Sequence, residues 1–430
     1  MSGGAVISPV EAILPRWRDP ATQERAADIF AVLLAAALPW STSLVGIFVV
    51  VWLIAVAPTL NLKTFKELLT RPICALPIAL FVLAVAGTLW SDAAWGARLY
   101  AIGPTVKLLV LSVLIYHFER STRGVWVLVA FLVSCSLLMA MSWIVTFDPN
   151  LSLKPPGLAD RGIFVKNYID QSQEFALCAV ALIYPIVKFL GQRKFLAGAL
   201  LTALSLSFVI NMAFVIVSRT ALVATPVMLF VFALMHLKLR GIIITICIAA
   251  TLVGAVWFTS PVLRERTTSV ISQYNLYEQS NEATSVGLRL EFWRKSLAFF
   301  AEAPLFGHGT GSTRGLFDHS AIGQTGAAGE VVGNPHNQTL NVAVQWGALG
   351  VLVLYAMWLV HLLLFRGSDL GSSIGLLVVI QNIITSLFNS HIFDFHEGWM
   401  YVLGVGVAGG MTMKAKFNKS ERPPSVSFRS

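Results

Sequence analysis

About a dozen apolar stretches, each long enough or nearly long enough to cross a bilayer, fill this 430-residue chain, and only short polar gaps separate most of them. A helical crossing takes about 20 residues. On that length the spans fall at roughly 26–40, 42–60, 73–90, 99–117, 125–146, 173–190, 196–217, 220–236, 241–259, 337–365, 371–388 and 399–413. Hydrophobic residues make up 56% of the chain and charged residues 12%, a balance that no soluble domain needs. In lipid every backbone N–H and C=O must be paired inside its own element, so runs of this length can only be helices. The expected fold class is therefore all-α and integral to a membrane, with about twelve transmembrane helices. The first run resembles a secretory leader in length, but a second follows directly and no small-residue cleavage site separates them, so the N-terminus is expected to be retained. Cys74, Cys135, Cys178 and Cys247 all fall inside apolar spans, where they read as small hydrophobes rather than a disulfide or metal framework.

The polar gaps orient the bundle. Lys63, Lys66 and Arg71, then Arg120 and Arg123, Lys188, Arg193 and Lys194, Lys238 and Arg240, and Arg366 alternate onto one side with both tails, which brings 19 of the 31 basic residues there. Basic loops stay in the cytoplasm. Both termini are thus expected inside, and Trp40, Trp90, Trp95, Trp143, Trp257 and Trp399 fall at the opposite ends of the spans, as an interfacial belt does. Topology accounts for the net charge of +9, so nucleic-acid binding need not be invoked. The apolar segment 196–236 is about 60 Å long as one helix, twice the membrane, and Ser218-Arg219-Thr220 is the only polar place for the required turn. The organisation that follows is nine spans in residues 1–259, a large non-cytoplasmic loop over 260–336, three spans in 337–413 and a disordered tail over 414–430. Within the large loop a helix is expected from about Val286 to Glu302, with Ser285 as its cap and Glu291 four residues before Lys295.

A few polar residues stand outside the membrane pattern. Asn334-Pro335-His336-Asn337 reads as a helix start, with Asn334 as the cap, Pro335 first and His336 second. The positive end of the helix dipole would keep His336 neutral and able to accept a proton; alternatively it caps a helix at the interface. Gln338, Asn341 and Gln345 add a polar stripe, and Gly347 shares the face of His336 on an unbroken helix. Arg219 and Arg289 are cationic on the side where the bias disfavours cations, so they bind a phosphate-bearing ligand, a lipid headgroup or an acidic partner. Arg161 and Lys166 form a similar, weaker pair. Gly307-His308-Gly309-Thr310-Gly311 lacks the preceding strand of a nucleotide loop and reads as a flexible hinge. His391, Asp394, His396 and Glu397 offer metal-ligand chemistry at a spacing that matches no familiar zinc pattern, so no metal is assigned.

The ordered set Ser218-Arg219, Ser285-Val286-Gly287-Leu288-Arg289, Ala303-Pro304-Leu305-Phe306-Gly307-His308-Gly309, Pro335-His336-Asn337-Gln338 and Gln345-Trp346-Gly347-Ala348-Leu349-Gly350 resembles the signature of the O-antigen ligase and O-antigen polymerase superfamily. The resemblance implies a twelve-span, glycosyltransferase-C-like enzyme of the bacterial inner membrane. Such an enzyme takes a glycan from undecaprenyl diphosphate and delivers it on the periplasmic side. By that resemblance His336 is the catalytic histidine, Arg219 and Arg289 are the essential arginines, and Asp394 matches an acidic residue of the last periplasmic loop; Asn337, Arg161 and Lys166 are auxiliary candidates on their own chemistry, apart from the resemblance. No cofactor is implied, and the partners are the lipid-linked glycan, an acceptor and membrane lipids, with the chain acting as a monomer. The acceptor separates the members: lipid A-core for a ligase, a second lipid-linked glycan for a polymerase. One dominant loop carrying both the Ser285–Arg289 and His336 motifs favours the ligase. A lipid-glycan transporter is the reading from another class, and it calls for related halves or discontinuous helices with charges near the midplane.

Overall fold

The computed structural model describes residues 19–154 and 161–420, and these are helical and connecting segments without a strand among them. Arg16, Arg18, Asp160, Arg422 and Arg429 lie outside the described residues. The α-helices run in order as α1 (Pro20–Ala37), α2 (Thr42–Val56), α3 (Leu62–Leu69), α4 (Pro72–Ala86), α5 (Trp95–Ile102), α6 (Lys107–Arg120), α7 (Gly124–Phe147), α8 (Tyr168–Ala181) and α9 (Ile183–Gly191). They continue as α10 (Phe195–Phe214), α11 (Arg219–His236), α12 (Leu239–Thr259), α13 (Pro261–Ser280), α14 (Ser285–Glu302), α15 (Thr313–Ala321), α16 (Gln338–Leu364), α17 (Leu370–Thr385) and α18 (Phe395–Ser420). A helix stands at each of the expected spans. Among the described residues, however, eight spans are long and apolar enough to cross a membrane, or nine if α3 and α4, bent by 77°, count as one. Three expected positions are not among them: α1, which carries Glu24, Arg25 and Asp28; α17, which has only 16 residues; and α18.

Glycine sets the tightest helix pair. On α18, Gly398, Gly406 and Gly410 recur on one face and lie against α6, where an added Cβ would come within 2.5 Å of Leu114 at Gly406 and 2.6 Å of Phe118 and Glu119 at Gly410. Without side chains the two backbones approach closely, the usual way helices associate where no hydrophobic drive exists between them in lipid. This pair also separates the molecule into two ends. At one, Lys107 donates through Nζ to the Asp394 carbonyl. At the other, Lys414 donates to the Arg120 carbonyl, and Arg71 and Arg120 lie beside Glu119. The twenty residues from Asp394 to Lys414 span about 30 Å at helical rise. The expected disordered tail is corrected for its first part: α18 continues to Ser420, and Lys416 donates to the Leu364 carbonyl at 3.0 Å. Lysines at a helix C-terminus complement its dipole.

The segment between α12 and α16 carries three α-helices. The expected helix of the large loop is α14, but its cap is Thr284, whose hydroxyl accepts from Gly287 N–H at 3.1 Å, and Ser285 is its first residue. Glu291 pairs with Arg294 at 2.6 Å instead of Lys295 and also accepts from Tyr277 at 2.9 Å, tying α14 to α13. Gly287 lets the two helices cross, since a Cβ there would come 2.6 Å from Tyr277.

The glycine-rich loop is not a hinge. Helix α16 breaks at Gly347 (φ 62°, ψ −157°), and the 304–311 loop pairs with the groups that the break frees. His308 N–H and Gly309 N–H donate to the Val344 and Gln345 carbonyls at 2.9 and 2.8 Å; Ala348 N–H and Leu349 N–H donate to Pro304 and Leu305 at 2.8 and 3.2 Å. Thr310 joins this plug to α4 through the Ala84 carbonyl, and Trp346 donates to Thr310 at 2.8 Å. Any side chain at Gly347 would meet the Leu305 backbone at 2.4 Å and would also sit in the left-handed region. His336 and Gly347 therefore do not share one continuous helical face.

Candidate active site

His336 lies just before α16, not inside it. The helix cap is Asn337, whose side chain accepts from Leu340 N–H at 3.1 Å, so the expected cap at Asn334 moves three residues on. Asn334 instead braces the turn, its Oδ1 accepting from His336 N–H at 3.0 Å and from Ser390 Oγ at 2.7 Å. That turn holds His336 at φ 54°, a left-handed backbone rare for a residue other than glycine. Strained backbone of this kind persists only where its surroundings fix it, and it concentrates at functional sites.

The imidazole is half-buried and tied on one side only. Its Nδ1 is 2.9 Å from Asn389 Oδ1, and Asn389 Nδ2 donates in turn to Asp394 Oδ2 at 2.6 Å. The ring tilts by 30° over Phe292 of α14 at 6.2 Å, one turn from Arg289 on the same helix. Arg289 is close enough for its charge to act on His336, and Arg219 acts on Arg289. Burial, with the Arg289 charge adding to it, lowers the His336 pKa from its ordinary 6.5, against an opposing contribution from the Asn389 hydrogen bond.

The two guanidiniums come from separate elements. Arg219 opens α11 after the break at 215–218 and donates to Ser285 Oγ at 3.3 Å, while Arg289 stands one turn into α14. Neither has an acidic partner within salt-bridge distance among the described residues, although acids elsewhere are paired. Two uncompensated, partly buried cations that repel one another are held together by the fold, an arrangement suited to an anion. Arg266 of α13 lies 5.7 Å over the Tyr168 ring, and Tyr168 acts electrostatically on Arg289, so a third cation borders the same region. Nothing in their local spacing distinguishes Arg266, Tyr168 or Asn389 from other loop residues, so the sequence alone does not single them out.

The auxiliary candidates divide. Asp394 joins the His336 side of the site through Asn389. Asn337 works as a cap and donates to the Leu387 carbonyl at 3.2 Å. Lys166 is corrected to an internal role: it is paired with buried Glu174 at 3.0 Å and donates to the Leu38 carbonyl. Arg161 is exposed, and among the described residues no contact joins it to His336. Behind Asp394 lies a buried ionisable cluster, which joins the His391, Asp394, His396 and Glu397 group of the sequence to Asp170 and Lys107. His391 Nδ1 faces Asp394 at 3.4 Å and Glu397 at 3.7 Å, and His396 pairs with Asp170 at 2.7 Å. The ligand atoms of His391, Asp394 and Glu397 lie within 4.8 Å of one another, a spacing that fits a cation; the Lys107 ammonium already acts on both carboxylates from α6. Burial and the Glu397 charge push Asp394 up to about 7, and burial pushes His391 down to about 4.

A half-buried histidine bonded through one ring nitrogen, beside two cations without counter-charges among the described residues, can move a proton next to a bound anion. No curated protein matches the chain. Residues 203–355, which contain the Arg219 turn, the α14 start, the 303–311 plug and His336, are similar to the family model described as O-antigen ligase.

Proposed function

We propose that the chain is an O-antigen ligase that moves a glycan from undecaprenyl diphosphate to the lipid A-core of lipopolysaccharide at the periplasmic face of the inner membrane. In this reading the basic end of the α6–α18 pair faces the cytoplasm, both termini lie there, and about twelve spans form a glycosyltransferase-C-like bundle. Residues 260–336 are then the periplasmic loop. The observation that carries the reading is the pair Arg219 and Arg289, free of acidic partners among the described residues and adjacent to His336. Two guanidiniums match the oxygens of a diphosphate, and they supply the charge stabilisation that its departure requires. Because that charge is supplied by arginines, the proposed transfer is metal-independent.

The chemistry is a single displacement. The acceptor hydroxyl is a poor nucleophile until its proton is taken, and neutral His336 takes it as the oxygen attacks the anomeric carbon. The bond from that carbon to the diphosphate oxygen breaks on the opposite face, and the leaving diphosphate stays an anion between Arg219 and Arg289. The break in α16 weighs against the transporter alternative, because its freed carbonyls and N–H groups are occupied by the 304–309 backbone rather than open to a substrate. Purified protein incubated with lipid-linked glycan and lipid A-core, without ATP, tests the proposal. The expected product is the glycan joined to lipid A-core; lengthening of the donor glycan would indicate a polymerase, and recovery of both substrates unchanged would overturn glycosyl transfer.

A further inference from the structure

A general base needs more than a histidine in the right place. Neutral imidazole has two tautomers, and only the nitrogen without hydrogen can accept a proton; which one that is depends on the partner of the other. At His336 the partner of Nδ1 is an amide, and the amide's own contacts fix its orientation. Asn334 Oδ1 accepts from His336 N–H and Ser390 Oγ, so its Nδ2 must donate and the Asn389 atom it meets is the oxygen, which leaves Asn389 Nδ2 facing Asp394 at 2.6 Å. Asn389 Oδ1 receives Asn334 Nδ2 at 3.0 Å and faces His336 Nδ1 at 2.9 Å. An amide oxygen has no hydrogen to give, so the His336 Nδ1 must carry one.

We infer that Asn389, oriented by Asp394 and Asn334, is a positioning residue that holds His336 in the Nδ1–H tautomer with Nε2 free to receive the acceptor proton. The inference rests on the reading of His336 as the base. It gives separate roles to three loop residues: Asn334 fixes the His336 backbone, Asn389 fixes its ring, and Asp394 fixes Asn389. Asn334 and Asn389 also hold each other, so the 334–337 turn and the 386–394 loop lock together at the site.

The charged groups around this relay are Arg289 from α14, with Arg219 from α11 behind it, His391 and Asp394 from the 386–394 loop, Glu397 from α18 and Lys107 from α6. The Asn389 hydrogen bond raises the His336 pKa against burial and Arg289. Removing it therefore makes the imidazole a weaker base, and the acid limb of the rate profile moves to lower pH. In Asn389→Leu, which keeps the volume and removes the amide, turnover should fall about 10- to 100-fold, as for lost partners of metal-bound histidines, with little change in donor KM. The acid limb should move downward.

A second measurement does not depend on activity. In protein labelled with ¹⁵N-histidine, the signals lost in His336→Gln identify His336, and in the wild type they should report a protonated Nδ1 and an unprotonated Nε2. A wild-type Nε2–H tautomer would overturn the inference, as would Asn389→Leu with unchanged turnover and pH profile. Either result, found together with an inactive His336→Gln, leaves the base reading standing and removes the positioning role alone. An active His336→Gln would instead remove the base reading itself.

Discussion

Replacing His336 by glutamine should lower turnover by about two to four powers of ten, the usual contribution of a positioned base, while leaving donor KM nearly unchanged. Glutamine keeps a polar side chain of similar reach but cannot take a proton at neutral pH. The wild-type rate should also show an acid limb. Burial and the Arg289 charge hold His336 below its ordinary pKa of 6.5, so the proposed base is neutral at pH 7, and the main loss of activity should come as pH falls below about 6.5. Asp394, pushed up to about 7, protonates first and should add a shallower step above that limb. Near wild-type turnover in purified His336→Gln would exclude proton abstraction by this residue and leave it as a backbone anchor.

Loss of either arginine should be comparably severe for a different reason. Arg219→Ala and Arg289→Ala each remove a fixed charge from the proposed site of diphosphate departure, and one such group is commonly worth about 10² to 10³ in rate. Because the side-chain hydrogen bond of Arg219 goes to Ser285 on a neighbouring loop helix, its loss should not unfold the bundle. The lysine variants should recover part of the rate, since an ammonium keeps the charge but not the bidentate fork. The measurement is donor-dependent turnover with purified, correctly inserted variants. Full activity in both Arg289→Ala and Arg289→Lys would reduce that residue to a structural role.

The membrane class is legible in the sequence because lipid forces a simple code, long apolar runs punctuated by basic loops. Exact span boundaries are not, because α1 begins among charges and the α3–α4 bend depends on neighbours. Among site residues, Arg219, Arg289 and His336 stand out for opposing local rules: cations where the charge pattern of the sequence leads one to expect few, and a polar helix start beside an apolar span. By sequence the helix start falls three residues early, since Asn334 and Asn337 are equally good caps by type and only tertiary contacts with Ser390 and Asn389 decide between them. The Gly307–Gly311 run reads as a hinge for a related reason. Its partner is the Gly347 break some forty residues away, and a loop that repairs a broken helix has no local mark distinguishing it from a flexible one. Asn389 leaves no signal at all, because a relay of hydrogen bonds between two loops has no period and no fixed spacing.

In the proposed transfer one direct displacement at the anomeric carbon is the central step, with His336 activating the acceptor and the two arginines holding the diphosphate. The anomeric configuration of the new linkage tests it most directly. Product made by purified protein from a donor of known configuration should show, by NMR coupling constants at the transferred anomeric carbon, inversion relative to the donor. Retention of configuration would contradict this mechanism, because it requires a second displacement and a covalent intermediate that a single base between an acceptor and two cations does not provide.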